Sequence, residues 1–137
     1  MGFVIDTSIT LAWCFDDERT SKTDALLGRL SSESAVAPGL WVLETANALL
    51  TAQRRGRITE AQAHRASALL DALPIEIELG VTPRSVLLAA GATHGLTAYD
   101  SDYLLLAERR GLPLATLDRT LARAARKAGV QILPEAR

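Results

Sequence analysis

The chain has 137 residues, a length typical of one domain, and we expect a single domain over residues 1–137. A hydrophobic fraction of 48%, a charged fraction of 23% and a net charge of −1 exclude a disordered chain and a protein that binds polyanions through its overall charge. The single cysteine, Cys14, allows no intramolecular disulfide, and the chain starts without a signal-peptide pattern, so we expect a cytoplasmic protein with no membrane span.

The first half of the chain alternates short apolar runs with longer segments of helical periodicity, which is typical of an α/β domain around a parallel sheet. Residues 3–5 predict a buried strand, and helices are expected over residues 8–14 and 24–30. A second strand is predicted over residues 35–37 and a helix over residues 40–55. The periodicity of that helix predicts a buried face made of Val42, Ala46, Leu49 and Leu50.

The middle of the chain contains clear start signals for helices. Thr59 and Gln62 predict a capping box at the start of a helix that ends near residue 72. Residues 75–78 alternate strictly between apolar and acidic, which predicts an edge strand. Thr82 is the expected N-cap of the next helix, because proline is favoured at the first helical position that follows it.

The last third predicts two more helices and two more strands. A helix is expected from about residue 99 to residue 111, followed by strands over residues 114–116 and 130–133. Between those strands, one apolar stripe at helical spacing predicts the buried face of the last helix, made of Leu117, Leu121, Ala124, Ala125 and Ala128.

Four acidic residues fall at corresponding places in this pattern. Asp6 ends the first strand, Asp118 follows the fourth, Asp100 starts a helix, and Glu44 lies near the start of the helix after the second strand. The carboxyl ends of parallel strands share one edge of the sheet, so these side chains can converge there. Each also has a structural explanation: the three aspartates are suited to cap helices, and Glu44 to a solvent-facing position.

A cluster of carboxylates has a chemical consequence that single caps do not have. Carboxylates within a few ångströms repel one another and raise each other's pKa, so such a cluster indicates a bound cation. Carboxylate oxygens without His or Cys suit Mg²⁺ or Mn²⁺. These ions activate water and neutralise phosphate oxygens, which is the chemistry of phosphodiester hydrolysis.

Four segments resemble, in order, the motifs of PIN-domain ribonucleases, and in particular the VapC-type toxins of VapBC toxin–antitoxin systems. They are Phe-Val-Ile-Asp-Thr-Ser at 3–8, Trp-Val-Leu-Glu-Thr-Ala-Asn-Ala-Leu at 41–49, Leu-Thr-Ala-Tyr-Asp-Ser-Asp-Tyr-Leu-Leu-Leu-Ala at 96–107, and Leu-Pro-Leu-Ala-Thr-Leu-Asp at 112–118. The resemblance implies a three-layer α/β/α sandwich with a parallel, Rossmann-like sheet of four to five strands. It also implies a Mg²⁺- or Mn²⁺-dependent endoribonuclease, the toxin of a type II toxin–antitoxin system.

The resemblance assigns roles to particular residues of this sequence. The acids that would hold the metal and carry catalysis are Asp6, Glu44, Asp100 and Asp118. The residues that would support them are Ser8, Asn47 and Thr116. The implied partners are a VapB-type antitoxin, an RNA substrate and a second copy of the chain, with DNA contacted only through the antitoxin.

Some assignments stay open at the level of the sequence. Arg119 and Arg123 are the best candidates for RNA contacts, because they follow Asp118 in the last helix. Asp102 is expected to be an accessory or solvent-facing acid beside Asp100. Trp13 and Trp41 fit either the core or a surface that a partner covers. The alternative function is a non-catalytic PIN-like module that binds RNA or a partner protein.

Overall fold

The structure is a computed structural model that describes residues 2–135, and it contains a five-stranded parallel sheet with helices on both faces. The strands are β1 (Phe3–Ile5), β2 (Ala35–Pro38), β3 (Ile75–Glu78), β4 (Leu114–Ala115) and β5 (Ile132–Leu133). The helices are α1 (Thr7–Cys14), α2 (Ser21–Arg29), α3 (Gly39–Arg54), α4 (Glu60–Ala72), α5 (Arg84–His94), α6 (Ala98–Arg110) and α7 (Arg119–Lys127), with a short 3₁₀ helix at Asp16–Glu18. None of the helices within residues 2–135 has the length and apolar content that crossing a membrane requires.

The strand order β3-β2-β1-β4-β5 places a reversal of direction in the middle of the sheet. The chain moves outward from β1 through β2 to β3, then crosses back to add β4 and β5 on the other side of β1. Right-handed crossovers therefore put α1–α4 on one face and α5–α7 on the other. The point of reversal lies between β1 and β4, where ligands bind in sheets of this kind.

The central strand β1 explains why the sheet forms at this place. Phe3, Val4 and Ile5 are completely buried, because helices cover both faces of the sheet. Leu104 and Leu106 of α6 are also completely buried and belong to the same core. The predicted α/β fold with a parallel sheet is confirmed.

Local signals in the sequence placed most elements within a residue or two. The capping box at the start of α4 forms as predicted: Gln62 N–H donates to the Thr59 hydroxyl at 3.1 Å, and Thr59 N–H donates to Gln62 Oε1 at 2.8 Å. The edge strand at 75–78 also forms and pairs with β2. One start was placed too late: α2 begins at Ser21, because Thr20 and Thr23 form another capping box.

The buried face of α3 was predicted correctly only at Leu49. Val42 and Leu50 are 48% and 45% exposed and Ala46 is also exposed, whereas Trp41, Thr45 and Ala52 are buried together with Leu49. Trp41 orients the helix, since its indole N–H donates to the Thr10 hydroxyl at 2.8 Å inside the core. Thr45 can be buried because its hydroxyl donates to the Trp41 carbonyl at 2.8 Å. Both tryptophans, Trp13 included, belong to the core.

Two further expectations need correction. Thr82 does not cap α5, which starts at Arg84 without a side-chain cap; the Thr82 hydroxyl donates to Asp102 at 2.8 Å and ties the loop before α5 to α6. Leu117 is 44% exposed and precedes α7, so the buried stripe of that helix begins at Leu121. Both predictions came from local spacing. The long-range contact with Asp102 decided the position of Thr82, and the path of the loop before α7 decided that of Leu117.

The packing of α5 against the turn that follows it leads to a prediction about Gly91. A Cβ at Gly91 would lie 2.9 Å from the backbone oxygen of Leu96, whereas a Cβ at Gly28 in α2 would meet nothing within 4 Å. Gly91→Ala should lower the free energy of unfolding by about 1–3 kcal/mol, because the crowded atom is backbone. Gly28→Ala should raise it by about 0.5–1 kcal/mol through helix propensity. Urea denaturation measures both, and a Gly91→Ala protein as stable as wild type would contradict the close packing.

Candidate active site

Asp6 lies at the point where the sheet reverses, and the end of β1 and the start of α1 hold it there. Its carboxylate caps α1 by accepting the Ile9 backbone N–H at 3.1 Å. The same oxygen accepts the Ser8 hydroxyl at 2.6 Å, and the other oxygen accepts the Thr116 hydroxyl. Asp6 is only 5% exposed, so a carboxylate is kept in the interior by three donors of the chain.

Two hydroxyls join Asp6 to the segment that follows β4. The Leu117 backbone N–H donates to Ser8 Oγ at 2.8 Å, and the Asp118 N–H donates to Thr116 Oγ1 at 3.0 Å. Each hydroxyl thus accepts from one segment and donates to Asp6. Ser8 and Thr116, which the sequence suggested as supporting residues, therefore fix the ends of β1 and β4 relative to one another.

The buried carboxylate of Asp6 has an altered proton affinity. Burial raises its pKa to about 6, against the hydrogen bonds from Ser8, Thr116 and Ile9, which lower the pKa. The negative charge of Asp100 raises the pKa further. A carboxyl group with this pKa is charged at neutral pH only at a cost in free energy, which a nearby cation would remove.

The carboxylate of Asp100 lies close enough to two of the other acids for their charges to raise its pKa. It lies in the first turn of α6, but Thr97 is the N-cap, since its hydroxyl accepts the Asp100 N–H at 3.1 Å. The capping explanation for the Asp100 side chain is therefore wrong. Burial raises the pKa of Asp100, and the charges of Asp118 and Glu44 raise it further.

Asp118 and Glu44 are each held by protein donors that leave one carboxylate oxygen free within the described residues. Asp118 caps α7 by accepting the Leu121 N–H at 3.0 Å through Oδ1. Glu44 Oε1 accepts the Tyr103 hydroxyl at 2.5 Å and the Thr7 hydroxyl at 2.9 Å. The second oxygen of each side chain has no hydrogen bond to residues 2–135.

The contact of Tyr103 and Thr7 with Glu44 was not among the predictions from the sequence. Tyr103 is 2% exposed, and burial together with the hydrogen bond to Glu44 raises the pKa of its phenol, so it remains a donor. Its position three residues after Asp100 places both on one face of α6, which is the signal that was available. That signal does not reveal a partner 59 positions away in the chain.

The four acids have in common that none has a cationic partner among the described residues. No salt bridge among residues 2–135 includes Asp6, Glu44, Asp100 or Asp118. Elsewhere, for example, Glu78 pairs with Arg109 and Arg110, and Glu33 pairs with Arg29. The site therefore concentrates uncompensated negative charge at one edge of the sheet, where it disfavours the folded state unless a cation binds.

The donor set suits a hard divalent cation, because it consists of carboxylate oxygens supported by hydroxyls and contains no His or Cys. Within residues 2–135, however, no three Asp, Glu, His or Cys side chains are arranged as a complete metal-binding group. Mutual repulsion opposes closer approach of the carboxylates when no cation lies between them. The chemistry of the residues fits Mg²⁺ or Mn²⁺, and ligation by all four acids stays a prediction.

The remaining suggested residues lie outside this network. Asn47 is exposed on α3, and its side chain makes no hydrogen bond to the part of the chain that is described. Arg119 and Arg123 are exposed on α7, which starts beside Asp118. Asp102 accepts a hydrogen bond from Thr82 and does not contribute to the altered pKa of Asp100.

Comparison with known proteins agrees with the order of motifs and strands. The family model of the PIN domain matches residues 3–127. Ribonuclease VapC3 of Pyrobaculum aerophilum is 32% identical over 127 residues, which cover 89% of this chain and 93% of that protein. Among solved structures, PAE2754 from Pyrobaculum aerophilum has a TM-score of 0.75 at 24% identity and covers 97% of this chain and 90% of its own. VapBC2 from Rickettsia felis, bound to a DNA fragment from their promoter, has a TM-score of 0.69 at 11% identity, covering 96% of this chain and 97% of its own.

The pKa of Asp6 predicts how stability changes with pH. The folded chain binds the Asp6 proton more tightly than the unfolded chain, with a pKa of about 6 against 3.8. The contribution to stability is therefore complete below the unfolded pKa and is lost as the pH rises through about 6. Asp6→Asn removes this loss. The free energy of unfolding of the variant minus that of wild type, both in EDTA, should therefore rise by up to about 3 kcal/mol between about pH 4 and pH 7.

Urea denaturation across this pH range measures that difference. Asp71→Asn, at an exposed position of α4, is the control for the loss of one carboxylate, and the difference between Asp6→Asn and wild type should change more with pH than the difference for this control. A difference for Asp6→Asn that does not change with pH would show that the Asp6 carboxylate is not destabilised by its burial.

Proposed function

Because this chain belongs to the PIN-domain family, we propose that it is a metal-dependent endoribonuclease and the toxin of a type II toxin–antitoxin system. The name of its relative, Ribonuclease VapC3, supports the cleavage of RNA. The observation that carries the proposal is a set of acids without cationic partners among residues 2–135, close enough to affect one another. The charges of Glu44 and Asp118 raise the pKa of Asp100, and the charge of Asp100 raises the pKa of Asp6. A module that only binds RNA gains nothing from acids that repel phosphates.

The proposed metal ligands are Asp6, Glu44, Asp100 and Asp118. A bound Mg²⁺ or Mn²⁺ supplies positive charge for the phosphate oxygens and lowers the pKa of bound water. The reaction is a hydrolysis: the water oxygen forms a bond to phosphorus, the bond from phosphorus to the 3′-oxygen breaks, and that oxygen takes a proton. The products are a 5′-phosphate and a 3′-hydroxyl.

The protein's contribution to this reaction is to hold charged oxygens in place. Ser8 and Thr116 each donate to one oxygen of Asp6 and orient its carboxylate. Tyr103 and Thr7 both donate to Oε1 of Glu44. These two contacts fix the orientation of the carboxylate, and Oε2 has no hydrogen bond to residues 2–135. Four hydroxyls therefore restrict two acids before any ligand binds, which reduces the reorganisation that binding requires.

We also propose a VapB-type antitoxin, a second copy of the chain and a cytoplasmic setting. The complex of VapBC2 supports the antitoxin as a class of partner. Two apolar surfaces are available for protein partners: Val42 and Leu43 on α3, which are 48% and 72% exposed, and Leu79 and Val81 after β3, which are 87% and 92% exposed. DNA contact is assigned to the antitoxin.

Cleavage of RNA tests the proposal directly. Wild type with Mn²⁺ should cut single-stranded RNA, and EDTA should abolish the cutting. Asp100→Asn should lower the rate at least about 100-fold, since loss of a ligand exceeds the usual effect of losing an outer contact. Asp102→Asn, two residues along the same helix, is the matched control and should keep the wild-type rate. Full cutting in EDTA or by Asp100→Asn would refute the metal mechanism, and metal binding without cutting would favour the non-catalytic module.

The contact between Tyr103 and Glu44 leads to a separate prediction. Tyr103→Phe keeps the buried ring but removes the hydroxyl, so it should weaken Mn²⁺ binding about 10–100-fold, the usual effect of losing a residue that orients a ligand. Isothermal titration calorimetry measures the affinity without RNA, and circular dichroism checks the fold. Tyr99→Phe is the control on the same helix, because Tyr99 is 61% exposed. Equal affinities of the two variants would mean that the Tyr103 hydroxyl has only a structural role.

A further inference from the structure

A groove of about 930 Å³ runs beside the acid site and includes two of its residues, Thr116 and Asp118. It lies between α7, the start of α2 and the end of β5. We call it the α7 groove. Five of its lining residues are cationic, and Asp118 is the one acid among those described. The cations are Lys22, Arg119, Arg123, Arg126 and Lys127.

No acid among residues 2–135 neutralises these cations. Within residues 2–135, none of the five forms a salt bridge, and Lys22 donates only to the backbone carbonyl of Glu135 at 3.4 Å. Several arginines elsewhere are paired, whereas others such as Arg54 and Arg84 have no salt bridge to a described residue; Arg57, for example, binds Asp17 and Glu18. Arg109 and Arg110 likewise bind glutamates of β3. The α7 groove is therefore a local positive surface on a chain whose net charge is −1.

Helix stability does not explain the positions of Lys22, Arg119 and Arg123. Arg119 is the first residue of α7 and Lys22 the second residue of α2, and a cation in the first turn of a helix is unfavourable. Arg119 and Arg123 are also four positions apart on the exposed side of α7, where like charges repel. Arg126 and Lys127 are in the last turn, where the helix dipole favours them, but they add to the same field.

We propose that the α7 groove binds the phosphate backbone of the RNA strand on one side of the bond that is cut. The inference rests on the proposed ribonuclease function and names the path of its substrate. A polyanion supplies the charge that the groove lacks, and the shared residues Thr116 and Asp118 make the groove continuous with the acids. Lys22 extends the contact surface from α7 to α2.

The lining also indicates that the groove does not select bases. None of its described lining residues is aromatic, Asn or Gln, so it offers no aromatic ring for stacking and no side-chain amide for a base edge. Contacts from Lys and Arg to phosphates depend on salt and not on sequence. Selection of a cleavage sequence therefore belongs to residues outside the α7 groove.

Salt dependence of RNA binding tests this proposal. Binding of labelled uridine and adenosine dodecamers is measured in EDTA by fluorescence anisotropy, from about 50 to about 200 mM KCl. Five phosphate contacts predict a slope of log K against log salt of about −3.5, which is a loss of about 100-fold over this range. The double variant Arg123→Gln/Arg126→Gln should reduce the slope to about −2 and the loss to about 20-fold, equally for both RNAs.

The matched control is the double variant Arg54→Gln/Arg84→Gln. It removes the same charge from exposed positions on α3 and α5 that do not line the groove, so its slope should equal that of wild type. Equal slopes for the two double variants would overturn the proposal, and so would an effect confined to one RNA. Cleavage by wild type is measured alongside. If wild type cuts RNA and the groove variant has the salt dependence of wild type, only the proposal about the α7 groove is wrong. If wild type binds through the groove but does not cut, the ribonuclease function is wrong and the groove stands.

Discussion

The hydrogen bond from the Thr116 hydroxyl to the Asp6 carboxylate joins the two strands between which the sheet reverses direction. The carboxylate is buried, and its pKa is raised, so the chain keeps it charged at neutral pH against a free-energy cost. The bonds from Ser8, Thr116 and Ile9 reduce that cost without removing it. A buried carboxylate whose ionisation costs free energy is thus built into the connection that holds the centre of the sheet together.

In this fold, two of the acids in the proposed site also cap helices. Helices that follow parallel strands begin at the carboxyl edge of the sheet, so a cap such as Asp6 or Asp118 lies at that edge as well. The partial positive charge of the helix N-terminus stabilises a carboxylate there. The sequence left the choice between cap and site open. Asp6 and Asp118 do cap helices and the Asp100 side chain does not, and capping is compatible with a role in the proposed site.

Negative and positive charges lie on neighbouring parts of the surface, in the acid site and in the α7 groove. Many acids and several arginines elsewhere neutralise one another, as Arg57 does with Asp17 and Glu18. Beside the reversal point, uncompensated acids adjoin the uncompensated cations of the α7 groove. The nearly neutral total hides this arrangement, since opposite surpluses cancel in the sum. An RNA strand in the groove with a divalent cation among the acids would neutralise both, which is why the two proposals support each other.

The sequence by itself determined the α/β class, the strands and the four acids at strand ends and helix starts, because caps and hydrophobic periods are local signals. Only the tertiary structure decided which side of α3 is buried, since Trp41 bonds to Thr10 across the core. It also decided that Thr82 binds Asp102 and that Tyr103 holds Glu44. Each of these contacts joins segments far apart in the chain, and a local pattern carries no information about which distant partner the fold brings near.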